Sequence, residues 1–319
     1  MAMTEDKIIA SGFPKDKGTL IHAFVGGSAL HGVKLEVTND TDLYGVYVEN
    51  PTWILGVDLH EHFVSSTSPQ ETRNSPSDVD VTCYSLRKWA NLAIGGNPTI
   101  LQFLFTPARR DEISWSSILG ERHLFLAKSH AKKYMGYADA QLHRMMGLKG
   151  QGKHGQRPEL EGQFGYDVKA AMHALRLLLE GIELMRTGFV IFPRPPEECE
   201  MLLEIRRGEW SQEKVIRRAT KVFEELRAAT YLSPLPAKIN RIEVSDLIAR
   251  IYLQEWNAIH WEALGFQTGE SSDNRAGRSA AGAGWKNLPA SNVQASHPMP
   301  PKLGGIKENQ TAKKTLAMQ

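Results

Sequence analysis

The hydrophobic pattern changes period near residue 85, and this restricts the architecture more than any single motif does. Upstream, apolar residues come in short runs bounded by glycine, proline or acidic residues, over 20–25, 42–48, 60–64 and 78–84. Runs of this length, the last with β-branched residues at alternate places, read as strands. Downstream the apolar residues recur every three or four positions. Leu86, Trp89, Leu92 and Ala93 follow a capping Ser85, and Val168, Ala171, Met172, Leu175, Leu178, Leu179 and Ile182 mark a helix over 164–185. Further helices are expected over 99–105, 114–148, 197–207, 212–230 and 244–264, with a short extended run at 188–192. Strands followed by helices predict an α+β chain, with a small mixed β-sheet domain preceding a mostly α-helical one. At 319 residues the chain is longer than one core usually fills. The expected division is 1–108 and 109–267, then 268–319, where Gly, Ser, Ala, Asn, Pro and Lys dominate and disorder is expected. Segments 1–18, 65–77 and 147–158 read as irregular.

Composition narrows the function classes. A net charge of +2 does not by itself point to a nucleic-acid partner. The sign is uneven, however: Arg122, Lys128, Lys132, Lys133, Arg144, Lys149, Lys153 and Arg157 crowd one stretch, either as solvated helix faces or as a surface for an anionic substrate. Cys83 and Cys199 allow neither a disulfide framework nor a zinc site and are expected to be reduced. The first residues are polar and acidic, so no signal peptide is expected. No apolar run approaches membrane-spanning length, and a cytoplasmic location is the expectation.

The chemistry gathers in 24–48 and 80. The first apolar run ends in Gly26-Gly27-Ser28, where two glycines permit close backbone approach and Ser28 can open a helix whose free N–H groups face phosphate. Asp40 and Asp42 then stand two apart at the head of the next run. On a strand they share a face, where their repulsion calls for a cation. The ion that suits carboxylate oxygens and phosphate is Mg²⁺ (or Mn²⁺). Asp80, with Asp78 two residues before it, lies on a later strand. If that strand adjoins the one starting at Asp42, three carboxylates converge as in a two-metal site. Lys169, His173 and Arg176 recur at helical spacing on one face, either as a solvated stripe or as a clamp for phosphate oxygens. His31 follows the glycine turn closely, as a packing residue or a supporting one. His60-Glu61-His62 could offer two zinc-type imidazoles but lacks a third ligand at suitable spacing.

A strand ending in Gly-Gly-Ser, an Asp-x-Asp about ten residues on and a third acid on a later strand resemble the DNA polymerase beta-type nucleotidyltransferase superfamily. The resemblance extends over roughly 20–265. Asp42-Leu43-Tyr44-Gly45-Val46-Tyr47-Val48, the stretch from Asp80 to Trp89, Gly96-Asn97-Pro98-Thr99, Gly136-Tyr137-Ala138 with Gln141-Leu142, and Gly165-Tyr166-Asp167-Val168-Lys169 look like the predicted nucleotidyltransferases of bacterial and phage RNA-repair contexts. Asn39 departs from that pattern, standing where these proteins commonly carry Ser. The resemblance implies a metal-dependent enzyme that transfers NMP from an NTP to an acceptor hydroxyl, RNA among the acceptors, with release of pyrophosphate. It also implies that Asp40, Asp42 and Asp80 bind metal and act in catalysis, and that Gly26, Gly27, Ser28, Lys169, His173 and Arg176 bind the nucleotide. The competing readings are a non-catalytic nucleotide- or RNA-binding module, and a toxin–antitoxin-type enzyme that nucleotidylates a protein or small molecule.

Overall fold

The computed structural model describes residues 2–35, 40–67, 78–107, 113–148 and 157–263, with side chains from residue 4 to residue 257 within them. Most of the loop expected at 65–77, most of that at 147–158, and the tail from 268 lie outside the described residues. Four strands, β1 (Gly18–Val25), β2 (Thr41–Glu49), β3 (His62–Ser66) and β4 (Val79–Ser85), form one sheet in the order β1-β2-β4-β3. β2 runs antiparallel to β1 and parallel to β4, and β3 runs antiparallel to β4. The sheet is therefore mixed, as expected, and the parallel pair at its centre carries the acidic residues. The described α-helices are α1 (Ala2–Ala10), α2 (Gly27–His31), α3 (Pro51–Leu55), α4 (Leu86–Ile94), α5 (Pro98–Leu101), α6 (Ile113–Gly120), α7 (Ala131–Met145), α8 (Pro158–Phe164), α9 (Val168–Thr187), α10 (Pro196–Arg206), α11 (Gln212–Leu232) and α12 (Arg241–Ala263), with short 3-10 helices at Gln102–Phe105, Arg122–Phe125 and Lys128–His130. The fold is α+β.

The period-2 alternation of the strands sorts their side chains between two cores. Leu43, Tyr47, Val81 and Cys83 turn to a small cluster closed by Ile8, Phe13, Leu20 and Ala23. Val46, Val48, Ile21 and Phe24 turn to the large one, which continues through α4, α7, α9, α10 and α11. Residues 2–10 are helical, not irregular as expected. Ile8 in α1 is fully buried and Phe13 after it nearly so. Burying a side chain of that size contributes about 2 kcal/mol and helps to pin this segment to the sheet.

α9 lies at the centre of the helical part, packed against α7, α8, α10 and α11. Most of its apolar residues are buried around the full circumference, including Val168, Met172, Leu175, Leu178, Leu184 and Met185. A helix buried on all sides owes its stability to packing more than to propensity. It starts at Val168, four residues later than expected. Gly165 ends α8 in the left-handed conformation, and Asp167 caps α9, its Oδ1 accepting from Ala170 N at 2.9 Å. The run 188–192 forms no strand. α12 fastens onto the sheet: Tyr252 Oη donates to Glu49 Oε2 at 2.5 Å, and Trp256 Nε1 donates to Glu49 O at 2.8 Å. No described helix is long and apolar enough to cross a membrane.

Candidate active site

β1 runs straight into the glycine turn. Gly26 N donates to Asp42 O at 2.8 Å, continuing the β1–β2 pairing past the end of the strand. Gly27 opens α2 with φ 59°, and a Cβ there would overlap the Asp42 carboxylate. A residue with a side chain would push this acid away and would also strain the backbone. The glycine turn and the Asp-x-Asp are therefore one physical unit: the turn is glycine because the acid lies against it.

Asp42 and Asp80 are register partners on the parallel strands β2 and β4. Both belong to the alternate set that faces the helices, beyond Tyr44 and Tyr84. Asp40 precedes Asp42 by one full strand repeat. Burial pushes the Asp42 carboxyl above the usual carboxylate range, and Asp40 and Asp80 push it further, with Lys169 and Lys34 opposing. Lys34 Nζ also donates to Asp40 O at 3.4 Å. Asp80 is exposed, whereas Asp78 is buried and its carbonyl accepts from Thr41 N at 2.8 Å. Asp80 is thus the acid opposite Asp42.

Across from the acids stands a polar stripe on the otherwise apolar α9. Lys169, His173, Arg176 and Glu180 follow one another at helical spacing. Burial holds the Lys169 ammonium below its ordinary range, as do Arg206 and Arg157 nearby, while Asp40 and Asp42 pull it up. His173 is held well below its ordinary value by burial and by the surrounding cations, Arg176 first, so it is neutral at neutral pH. Arg176 is 8% exposed; its Nη1 donates to Glu180 Oε1 at 3.0 Å, and its Nη2 lies 3.5 Å from His173 Nδ1. The stripe is not solvated. It turns inward, its N-terminal end toward the acids and its C-terminal end toward α2.

Arg206, at the end of α10, belongs to the same field. Burial lowers its pKa, Asp40 opposes that, and Arg157 adds to the lowering. Sequence reasoning missed it, because an arginine closing a charge-rich helix is ordinary. The basic stretch 122–157 divides. Lys132 and Lys133 are exposed, whereas Arg157 Nη1 lies 2.9 Å and Arg144 Nε 3.9 Å from Asp167 Oδ2, at the head of α9. The longer sequence motifs largely serve the scaffold: Asn97 caps α5 and donates through Nδ2 to Tyr137 Oη at 3.3 Å, and Tyr166 Oη donates to Trp210 O at 2.7 Å. At the would-be zinc pair, Glu61 instead pairs with Lys88 Nζ at 2.9 Å.

Among the described residues, no three His, Cys, Asp or Glu side chains stand in a ready metal-holding arrangement. The donor set nevertheless suits a hard divalent ion. It is all carboxylate, it raises the Asp42 pKa through mutual repulsion, and an interposed cation would relieve that repulsion.

A mixed sheet with acids paired across its parallel strands and a glycine turn against them accords with the DNA polymerase beta-type class that the sequence resembles. A family model described as "RlaP: RNA repair pathway DNA polymerase beta family" matches residues 7–248, and the chain belongs to that family. It is also similar to an uncharacterized 38.9 kDa protein from the nrdC-mobD intergenic region of Enterobacteria phage T4. The two are 29% identical over 129 residues, which make up 39% of this chain and 38% of the phage protein. The chain thus matches well under half the length of that curated relative. No solved structure matches it.

Proposed function

We propose that the protein is a metal-dependent nucleotidyltransferase that moves NMP from an NTP to an acceptor hydroxyl and releases pyrophosphate, with an RNA end as the acceptor favoured by the family description. The observation that carries this reading is the opposition of two charge sets: Asp40, Asp42 and Asp80 at the head of the two central strands against Lys169 and Arg206 on the helices. A binding module would gain nothing from unneutralised carboxylates beside phosphate.

Asp40, Asp42 and Asp80 would hold Mg²⁺ (or Mn²⁺), which when bound supplies a lowered hydroxyl pKa and charge stabilisation for the leaving pyrophosphate. The chain's own groups do the rest. Gly26, Gly27 and Ser28 bring backbone close to the triphosphate. Lys169, supported by Arg206, offsets its charge, and neutral His173 offers a hydrogen bond. Arg176 holds this side of the site from behind. Asp80, the exposed acid, receives the proton of the acceptor hydroxyl as its oxygen bonds to the α-phosphorus. The bond from that phosphorus to the bridging oxygen breaks in the same displacement, and pyrophosphate departs.

The test is incubation with each labelled NTP, Mg²⁺ or Mn²⁺, and either total RNA or lysate. Asp42→Ala and Asp40→Ala are expected to abolish label transfer while far-UV circular dichroism keeps its parental form. Undiminished transfer by both variants would sink the proposal, and the fraction that takes the label identifies the acceptor.

A further inference from the structure

Between the glycine turn and α9 lies a buried polar cluster to which the reaction above assigns no chemical step. His31 closes α2 and is 4% exposed. Its Nδ1 lies 3.0 Å from Glu180 Oε1, and Gln102 Nε2 lies 3.2 Å from its Nε2. Arg176 Nη1, also 3.0 Å from Glu180 Oε1, contacts the ring. Arg176 Nη1 also lies 3.0 Å from ring Nδ1, and Glu180, a carboxylate, can only accept, so the tautomer with hydrogen on Nδ1 gives Glu180 a donor. Burial, then Arg176, lowers the imidazole to about 4, leaving it neutral at neutral pH. Burial alone would raise Glu180, but Arg176 and His31 outweigh it and keep the group a carboxylate.

The backbone here is held as well. His31 O accepts from Arg194 N at 3.2 Å and from Cys199 Sγ at 3.4 Å. Gly32 follows with φ 74°, and a Cβ there would crowd Cys199 Sγ and Pro193. α2 has only five residues. A helix that short does not hold its own geometry, so its partners decide where it sits.

We propose that His31 is a positioning residue: its imidazole ties the end of α2 to the polar stripe of α9 and so fixes Ser28, one turn earlier, against Lys169 and His173. The inference rests on the nucleotidyltransferase reading for its purpose. A triphosphate held from the turn and from α9 together needs both surfaces at one separation. The residues that set that separation run without a break from His31 through Arg176 to His173. A buried pair serving stability alone would have no reason to reach the glycine turn.

The experiment compares parent, His31→Ala and His31→Gln, the last keeping an amide able to donate and accept. Hydrogen exchange without ligand reads the order of α2. Affinity for an α,β-methylene NTP with Mg²⁺ reads the alignment, and circular dichroism checks the fold. In His31→Ala, amides of 27–33 are expected to exchange about tenfold faster, with β1 and the rest of α9 unchanged, and the analogue to bind about tenfold weaker. His31→Gln is expected to recover both to within about threefold of parent. Unchanged exchange at 27–33 in His31→Ala overturns the inference, and so does loosened exchange with undiminished binding. If His31→Ala fails to fold, Gln102→Ala removes only the donor to Nε2 and is expected to shift both readouts in the same direction; no shift overturns the inference. A parent that binds no NTP analogue refutes the proposed function, and the ligand-free exchange data separate that outcome from failure of the positioning role.

Discussion

Asp42 shows how a side chain proposed for catalysis works against the fold. Its pKa is raised, so its ionised form is disfavoured in the native protein, and neutralising it removes a cost. Asp42→Asn is therefore expected to melt no lower than parent in EDTA, and Mg²⁺ is expected to raise the parent's Tm but not the variant's; an equal rise in both would argue against metal at these acids. His22 has the opposite sign. It is buried, hydrogen-bonded to Thr106 Oγ1 at 2.8 Å and stacked on Trp115 at 4.2 Å, and burial lowers it to about 3. The unfolded chain takes up its proton near the ordinary value of about 6.5, the folded chain only near 3. The stabilisation is therefore complete above about pH 6.5 and declines as pH falls towards the folded pKa. Tm measured from pH 7 to 4 is expected to drop steadily, and less steeply in His22→Phe. At this scale, legibility depends on range. Asp42 and Asp80 were readable because period 2 sets the face of a strand. His31 and Arg176 were not readable as partners, because 145 residues separate them and only the packing of α2 on α9 brings them together.

At the scale of elements, sequence pattern succeeded where a helix or strand makes its own case. α4 shows its apolar period behind a serine cap, and Ser85 Oγ does accept from Lys88 N at 3.3 Å. α1 does not, since its inward contact rests on isolated apolar residues in a polar stretch and becomes visible only with the sheet in place. The charged stripe of α9 could be read as a solvated face or as a phosphate clamp, and packing turns it inward by burying the helix around its circumference. The docking of α12 can be tested at a single hydroxyl. Tyr252 Oη donates to Glu49, itself 1% exposed, and accepts from Arg87 N at 3.1 Å. Tyr252→Phe removes both hydrogen bonds, leaving Glu49 with its Ser85 contact, and is expected to cost about 1–3 kcal/mol in urea denaturation. A loss near zero would show that the Tyr252 hydroxyl adds nothing net to the docking of α12.

At the scale of the molecule, the sequence divides at the change of period, yet one large core runs from β1 and β2 through α4, α7, α9 and α11 to α12. That continuity could not be read from local pattern, because each helix declares its apolar face but not which face it meets. It has a consequence for how the protein is made. Glu49 and its hydroxyl partner Tyr252 are separated by 203 residues. A ribosome working at about 5–20 residues per second completes the sheet strands roughly 10–40 s before α12 emerges. Through that interval the acid-bearing strand is present, but Glu49 lacks its hydroxyl partner on α12. Arrested nascent chains ending at 240 are therefore expected to be cut by protease within the sheet where released chains resist. The acid-bearing strand thus exists as a peptide long before the last helix arrives to dock on it.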